Sequence, residues 1–180
     1  MDLLEFWNRK VALTSITNAE EIVRFHFGEC IFALTLQDFS GGRLADVGSG
    51  AGFPGLALKL FRSDLRVTLL EPNKKKCAFL NEIARKLEFS DVEVLPLGFE
   101  ESQIAPRSVT YVVSRALGKA EELLAWSRKT LSPSGNLLLW VSTEDAAETI
   151  QATDWSWPQR TDIPGTRKRQ ILVGRPRNLV

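Results

Sequence analysis

The sequence predicts an α/β fold in which helices cover both faces of a mostly parallel, twisted sheet. From residue 43 onward, short β-type runs alternate with amphipathic helical stretches, and such alternation is typical of parallel sheets. A glycine-rich segment separates the first strand of this region from its first helix, which is where open α/β sheets bind ligands. With 180 residues, 44% of them hydrophobic, the chain is large and apolar enough for one compact domain.

The individual elements are predicted from hydrophobic periodicity and from turn-forming residues. We predict strands at 43–47, 65–70, 92–97, 109–113, 137–141 and 169–174, and helices at 54–61, 73–88, 120–131 and 144–152. Because no good helix separates residues 159–163 from the last strand, a closing antiparallel hairpin is expected there. Residues 155–166 contain two tryptophans, two prolines and a glycine and are the most loop-like stretch of the chain.

Residues 1–40 are expected to form a helical extension that packs on a core domain of residues 41–180, giving one structural domain overall. Asn18 precedes an apolar run and is predicted to cap a helix, with Glu21 as the returning carboxylate of a capping box. Ser40, Gly41 and Gly42 then interrupt the helical pattern.

Composition limits the class of protein. The 23 basic and 22 acidic residues give a net charge of +1, so a polyanionic partner would have to be bound by local clusters of charge. Two cysteines, Cys30 and Cys77, are too few for a disulfide scaffold and are expected to be reduced thiols of a cytoplasmic protein. No apolar run approaches the ~20 residues that span a membrane, and the N-terminus does not resemble a signal peptide.

The glycine-rich segment is the most informative part of the sequence. Gly48, Gly50 and Gly52 permit a sharp turn and a close approach of the backbone to a ligand. The spacing from Gly50 to Gly55 fits a dinucleotide fingerprint. A second frame begins with Asp46 at the end of the strand, and an acid there suits an ammonium group better than a pyrophosphate. The second frame therefore favours S-adenosylmethionine.

A second carboxylate, Glu71, follows the next strand along the chain. A carboxylate in that place accepts hydrogen bonds from ribose hydroxyls, which NAD and S-adenosylmethionine both carry. Glu71 therefore predicts a nucleoside cofactor, and only Asp46 discriminates between the two.

Several motifs resemble one family, the glucose-inhibited division protein B family of bacterial methyltransferases. They are DVGSGAGFPG at 46–55, LLEPNKKK at 69–76, VSRA at 113–116 and HFGEC at 26–30. The resemblance extends from about Phe6 to Ser132 and is weaker beyond. It implies a Rossmann-like class I methyltransferase fold, S-adenosylmethionine as cofactor, and methylation of N7 of a guanine in 16S ribosomal RNA or in the 30S subunit. Independently of the resemblance, two cysteines and one histidine in unrelated elements exclude a zinc site, so no metal is expected, and the chain is expected to be a monomer.

The resemblance also implies roles for particular residues. Gly48 and Phe53 would contact the cofactor from the loop, and Phe99 with Glu100 would meet its adenine, partly through backbone amides. Arg115 would lie at the mouth of the crevice and pair with a cofactor carboxylate or an RNA phosphate. The sequence departs from the family at Gly98, where an arginine is usual, and at Val141, where a lysine is frequent.

The predicted chemistry needs few reactive groups. Guanine N7 is a lone-pair acceptor without a proton, so we assign no catalytic acid or base. The only histidine, His26, is expected to be structural. Basic residues predicted to bind RNA phosphates are Lys74, Lys75, Arg167, Lys168 and Arg169, and Trp155 or Trp157 could stack on an extruded base.

Three other functions remain open from the sequence. The chain could methylate a protein or a small molecule. The departures at positions 98 and 141 motivate a non-catalytic RNA-binding assembly factor that retains the fold. The dinucleotide frame in the loop leaves an NAD-dependent oxidoreductase as the third.

Overall fold

The computed structural model describes residues 2–115, 118–152, 154–166 and 168–177. They form a seven-stranded sheet with strands β1 (Arg43–Val47), β2 (Arg66–Leu70), β3 (Val92–Leu95), β4 (Val109–Arg115), β5 (Leu131–Ser142), β6 (Trp155–Asp162) and β7 (Arg169–Pro176). The strand order is β3-β2-β1-β4-β5-β7-β6. The first five strands are parallel, whereas β7 runs antiparallel to both β5 and β6. The predicted α/β class, the parallel sheet and the closing hairpin are confirmed.

Helices cover both faces of this sheet, as the alternating sequence pattern predicts. They are α4 (Gly55–Phe61), α5 (Lys74–Lys86), α6 (Ala120–Thr130) and α7 (Thr143–Thr149). Leu58 of α4 and Leu80 of α5 lie in one hydrophobic core with the N-terminal segment, and Leu123 of α6 lies in the core on the opposite face. Within the described residues, no helix is both long enough and apolar enough to cross a bilayer.

The N-terminal segment contains helix α1 (Asp2–Asn8) and a nearly continuous helical run. The run consists of α2 (Ala19–Ile22), a π-helical stretch (Val23–Gly28), α3 (Glu29–Phe32) and a 3₁₀ turn (Ala33–Thr35). Asn18 caps it, since its side chain accepts a hydrogen bond of 3.0 Å from the backbone N–H of Glu21. Ile22 and Phe39 are fully buried in the core on the α4 and α5 face, so the segment shares that core.

Strand β5 begins at Leu131, six residues earlier than predicted. Leu131 pairs with Val109, and the next pair in the ladder joins Asn136 to Tyr111. The intervening residues form an irregularity that brings Gly135 against β4, where a Cβ would lie 3.0 Å from the carbonyl oxygen of Thr110. Residues 132–135 resemble a turn in the sequence because a bulge of this kind uses the same residue types.

Most of the loop-like stretch at 155–166 is strand β6 (Trp155–Asp162), which begins four residues before the segment expected to pair with the last strand. Burial alternates along it as in a strand with one solvated face. Pro158 is tolerated because β6 is the edge strand and its ladder shifts between Ser156 and Gln159. Trp157 packs over Gly174, where a Cβ would lie 2.4 Å from the indole ring.

Candidate active site

Three chain segments meet at the carboxyl edge of the sheet. In the parallel ladder, Val47 of β1 pairs with Leu70 of β2 and with Ser114 of β4. Gly48, Glu71 and Arg115, each the next residue along its chain, therefore lie side by side at this edge. The sheet thus brings together residues that are far apart in the sequence, at the place where ligands bind in folds of this kind.

The glycine loop adopts a backbone conformation that other residues rarely take. The φ angles of Gly48, Gly50 and Gly52 are 73°, 54° and 84°, which is the left-handed region. A Cβ at Gly52 would lie 2.7 Å from the Leu56 side chain. Both the backbone conformation and the packing against α4 therefore require glycine in this turn.

Asp46 lies beneath this loop and not at the open surface of the crevice. Its side chain is fully buried, and Oδ2 accepts a hydrogen bond of 2.9 Å from the N–H of Gly55. Burial raises the pKa of Asp46 to about 7, the Gly55 hydrogen bond opposes this shift, and the charge of Glu71 adds to it. A Cβ at Gly55 would lie 2.6 Å from Asp46 Oδ2, so the two residues are packed directly against each other.

This position changes the interpretation of Asp46. The sequence predicts direct contact with an ammonium group, whereas in the structure one carboxylate oxygen holds the start of α4 and the other, Oδ1, is buried without a hydrogen-bond partner among the described residues. The geometry gives Asp46 a positioning role beneath the loop, and its direct ligand contact stays a prediction that this geometry does not support.

Glu71 joins the loop to the neighbouring strand and helix. Its Oε2 accepts a hydrogen bond of 2.9 Å from the N–H of Gly50, and its Oε1 accepts one of 2.9 Å from the N–H of Asn73. Asn73 in turn caps α5 by accepting from the N–H groups of Lys75 and Lys76. Each carboxylate oxygen has two lone pairs, so both retain the capacity to accept a hydroxyl group.

A cluster of polar side chains borders the loop on its other side. The ring of Phe53 stacks on that of His26, with centroids 4.8 Å apart and planes inclined by 19°. His26 Nδ1 lies 3.1 Å from Arg115 Nη1, and Nε2 lies 2.7 Å from Thr14 Oγ1. A guanidinium can only donate, so Nδ1 accepts from Arg115 and Nε2 carries the proton and donates to Thr14.

Electrostatics keep this histidine neutral. Burial and the charges of Arg115 and Arg169 lower the pKa of His26 to about 4. Both ring nitrogens are engaged, so the ring offers no free base for catalysis.

Glu29 completes this cluster, and the sequence interpretation missed it. Its buried carboxylate lies 3.4 Å from Arg115 Nη2 and 3.0 Å from Arg169 Nη1. Burial raises the pKa of Glu29, and the two arginines oppose that shift. The available sequence signal was the spacing of His26 and Glu29, two polar residues three apart in a largely apolar helical run.

The two residues predicted to meet adenine lie in a turn after β3. Phe99 begins a 3₁₀ turn (Phe99–Glu101) after β3, but its ring is buried in the core and packs edge-on against Trp126 at 5.7 Å. Glu100 is exposed and forms an ion pair of 2.6 Å with Lys119, whose hydrogen bond lowers the pKa of Glu100. The Phe99 ring thus fills the hydrophobic core, and only the backbone of this turn remains a candidate for ligand contact.

The predicted RNA-binding residues fall into different environments. Lys74 and Lys75 are exposed in the first turn of α5. Lys168 is exposed and lies 3.6 Å from Glu144, whereas Arg169 is bound to Glu29. Arg167 lies outside the described residues.

The two tryptophans considered for base stacking lie on the inner face of β6. Trp155 is buried, with 1% of its surface exposed, and stacks on the half-buried Trp157 at 5.6 Å. Their rings pack in the hydrophobic core beside β6 and β7, so the prediction that Trp155 offers a surface for base stacking is wrong.

Comparison with known proteins adds an independent line of argument. Residues 1–162 match the family model described as GidB, rRNA small subunit methyltransferase G. The ribosomal RNA small subunit methyltransferase G of Clostridium perfringens is 47% identical over 95 residues, which are 52% of this chain and 40% of the relative. The protein of that name from Syntrophus aciditrophicus is 35% identical over 139 residues, or 75% of this chain and 58% of the relative.

The chain therefore spans about half the length of the curated relatives that it matches. Among solved structures, a SAM-dependent methyltransferase from Aquifex aeolicus superposes with a TM-score of 0.71 at 14% identity, over 86% of this chain and 92% of that one. At this level of identity the likeness shows the fold alone, which is that of the Rossmann-like methyltransferases.

Proposed function

The chain belongs to the rRNA small subunit methyltransferase G family, and from this we propose that it transfers a methyl group from S-adenosylmethionine to N7 of a guanine in 16S ribosomal RNA. The observation that carries the proposal is the glycine loop at the carboxyl edge of the sheet, clamped by two carboxylates. Glu71 holds Gly50 from the neighbouring strand, and Asp46 holds Gly55 from below. A ribosomal RNA substrate would locate this activity in the cytoplasm.

The residues present fit a sulfonium nucleoside. The left-handed glycines of the loop let its backbone approach a ligand closely, and Gly48 with Gly50 and Gly52 would contact the methionine part of the cofactor. Glu71 would accept the ribose hydroxyls with its remaining lone pairs. Phe53 would close the loop side, and Arg115 would pair with the methionine carboxylate.

The proposed reaction requires positioning more than acid–base chemistry. S-adenosylmethionine, when bound, supplies an electrophilic methyl group. Guanine N7 presents a lone pair and no proton, so the engagement of both His26 nitrogens is consistent with the reaction. Holding reacting atoms in line can contribute ~7–11 kcal/mol of barrier lowering, and in this chain that task falls to the loop, Glu71 and Arg115.

Of the proposed RNA contacts, Lys74, Lys75 and Lys168 lie at the carboxyl edge of the sheet. Lys74 and Lys75 project from the first turn of α5, next to Glu71. Cations at a helix N-terminus oppose the helix dipole by about 0.3–1 kcal/mol each, so an anionic ligand there would relieve an unfavourable arrangement. Lys168, near the end of β5, and Arg167 are proposed as further phosphate contacts.

Transfer of labelled methyl groups tests the proposal directly. The chain should label deproteinised 16S RNA or intact 30S subunits, and digestion should recover the label as 7-methylguanosine. The Glu71→Gln variant is the matched control and should lose most of the methyl incorporation. Its amide would place a donor against the N–H of Gly50 or of Asn73. Label found only in protein, or tight RNA binding with no incorporation, would contradict this reaction and favour one of the alternatives.

A further inference from the structure

A buried group of ionisable side chains connects the N-terminal helical layer to the glycine loop. It consists of His26 and Glu29 from that layer, Arg115 at the end of β4 and Arg169 at the start of β7. We propose that His26 and Glu29 are positioning residues, which hold the Arg115 guanidinium in place to receive the carboxylate of the methionine moiety. The proposal rests on the proposed function, because it assigns Arg115 to the cofactor.

The guanidinium is held at both of its terminal nitrogens. Nη1 donates to His26 Nδ1 at 3.1 Å, and Nη2 lies 3.4 Å from Glu29 Oε2. The side chain of Arg115 is 13% exposed and that of Glu29 is 1% exposed, so neither is free to reorient in solvent. An arginine fixed in this manner loses little conformational entropy when it binds a ligand.

A hydrogen-bonded chain fixes the histidine in turn. Nε2 of His26 donates to Thr14 Oγ1 at 2.7 Å, and the backbone N–H of Thr14 donates to Asn8 Oδ1 at 3.0 Å. These bonds connect α1 to the carboxyl edge of the sheet. The tautomer that donates to Thr14 is also the one whose Nδ1 accepts from Arg115.

The charges of the group leave one positive charge uncompensated. Arg115 and Arg169 are cations, Glu29 is the single anion that contacts them among the described residues, and His26 is neutral. A buried cluster with an excess cation favours an anionic ligand, because the partner charge compensates its desolvation. Register in the sheet places Arg115 directly beyond Ser114, which pairs with Val47, so the backbone of Arg115 lies beside the first glycine of the loop, and its guanidinium lies on His26, which stacks on Phe53 of the loop.

Phe53 gives the cluster a second contact with the loop. Its ring stacks on His26 at 4.8 Å, and Phe27 packs edge-on against it at 5.0 Å. The His26 ring therefore contacts both the loop and the guanidinium. The N-terminal layer is a functional part of the cofactor site, and its role extends beyond covering the core.

Two substitutions of the same histidine separate its two hydrogen bonds. In His26→Asn, the amide oxygen takes the place of Nδ1 and can still accept from Arg115. In His26→Gln, the amide nitrogen takes the place of Nε2 and can still donate to Thr14, but the bond to Arg115 is lost. Both variants remove the ring that stacks on Phe53. Calorimetric titration of the full chain with S-adenosylhomocysteine should show His26→Gln binding about tenfold more weakly than His26→Asn, the size expected for a hydrogen bond from a charged donor.

The two histidine substitutions are then repeated in a chain that also carries Arg115→Met. If His26 had a purely structural role, the difference in S-adenosylhomocysteine affinity between the two substitutions would not depend on Arg115. In the Arg115→Met chain, His26→Asn and His26→Gln should bind S-adenosylhomocysteine equally, because the guanidinium that donates to the Asn oxygen is absent. Glu29→Gln should also weaken S-adenosylhomocysteine binding, with Glu29→Asp recovering part of the loss. This second pair retains a test if the histidine variants fail to fold.

The outcomes separate the two proposals. Equal affinities of the two histidine variants, or a difference that persists without Arg115, would overturn the positioning role while wild-type binding stands. Wild-type affinity in Glu29→Gln would overturn the positioning role of Glu29 in the same way. A wild-type chain that binds neither S-adenosylmethionine nor S-adenosylhomocysteine would overturn the proposed function, and the positioning role with it.

Discussion

At Asp46, burial opposes ionisation while the N–H of Gly55 favours it, and burial dominates. The carboxyl group is fully enclosed and has a pKa of about 7 against an ordinary value of 3.8. A group whose pKa is raised in the folded state binds its proton more tightly there than in the unfolded chain. Its contribution to stability is therefore fully present below pH 4 and is lost as the pH rises through about 7.

The Asp46→Asn variant tests this sign, because an amide of the same shape cannot ionise. We expect the melting temperature of wild type, relative to this variant, to decrease as the pH is raised from about 4.5 to about 7.5. Taking the difference between the two proteins removes the contributions of all other titrating groups. Glu100→Gln is a control for which the melting-temperature difference should change in the opposite direction with pH. Lys119 lowers the pKa of Glu100, so the contribution of Glu100 to stability is lost as the pH falls. A flat Asp46 difference across the range would contradict the assignment.

At the scale of elements, the turn from β1 into α4 depends on the absence of a side chain at Gly55. A Cβ there would lie 2.6 Å from Asp46 Oδ2 and 2.9 Å from Leu69 Cδ2. Overpacking of this kind costs about 1–3 kcal/mol, so Gly55→Ala should lower the free energy of unfolding by that amount in urea titrations. Gly118→Ala is the matched control, since no atom of the described residues beyond its chain neighbours lies within 4 Å of its Cβ position. Equal effects of the two substitutions would show that the contact with Asp46 is not tight.

Elements with a local cause are predictable from the sequence, whereas contacts between distant residues are not. The strand, glycine turn and helix around residues 43–61 follow from local spacing and lie close to their predicted bounds. The first part of β6, before Gln159, escapes prediction because Pro158 normally terminates strands, and its tolerance depends on the edge position of β6 in the sheet. Nothing local indicates that Trp126 packs against Phe99, which the sequence assigns to a ligand. Glu29 escapes prediction because both of its arginine partners belong to distant strands.

Across the whole molecule, the charge is nearly balanced, with 23 basic and 22 acidic residues, so affinity for RNA would depend on how the cations are distributed. At the carboxyl edge, Lys74 and Lys75 are exposed beside Glu71, whereas Arg43 and Arg66 are exposed at the opposite edge. The latter two face each other across β1 and β2. The two pairs are equal in charge and differ in which edge of the sheet they occupy.

Replacing each pair by alanine should therefore affect RNA binding differently. Each phosphate contact contributes about 0.7–0.9 to the slope of log affinity against log salt concentration. If both lysines bind phosphate, Lys74→Ala with Lys75→Ala should reduce that slope by roughly 1.4–1.8 when the chain is titrated with 16S RNA at several salt concentrations. Arg43→Ala with Arg66→Ala removes the same charge and should leave the slope near the wild-type value. Equal slopes for the two double variants would mean that RNA responds only to net charge, and the RNA-binding surface would then have to be sought away from the carboxyl edge.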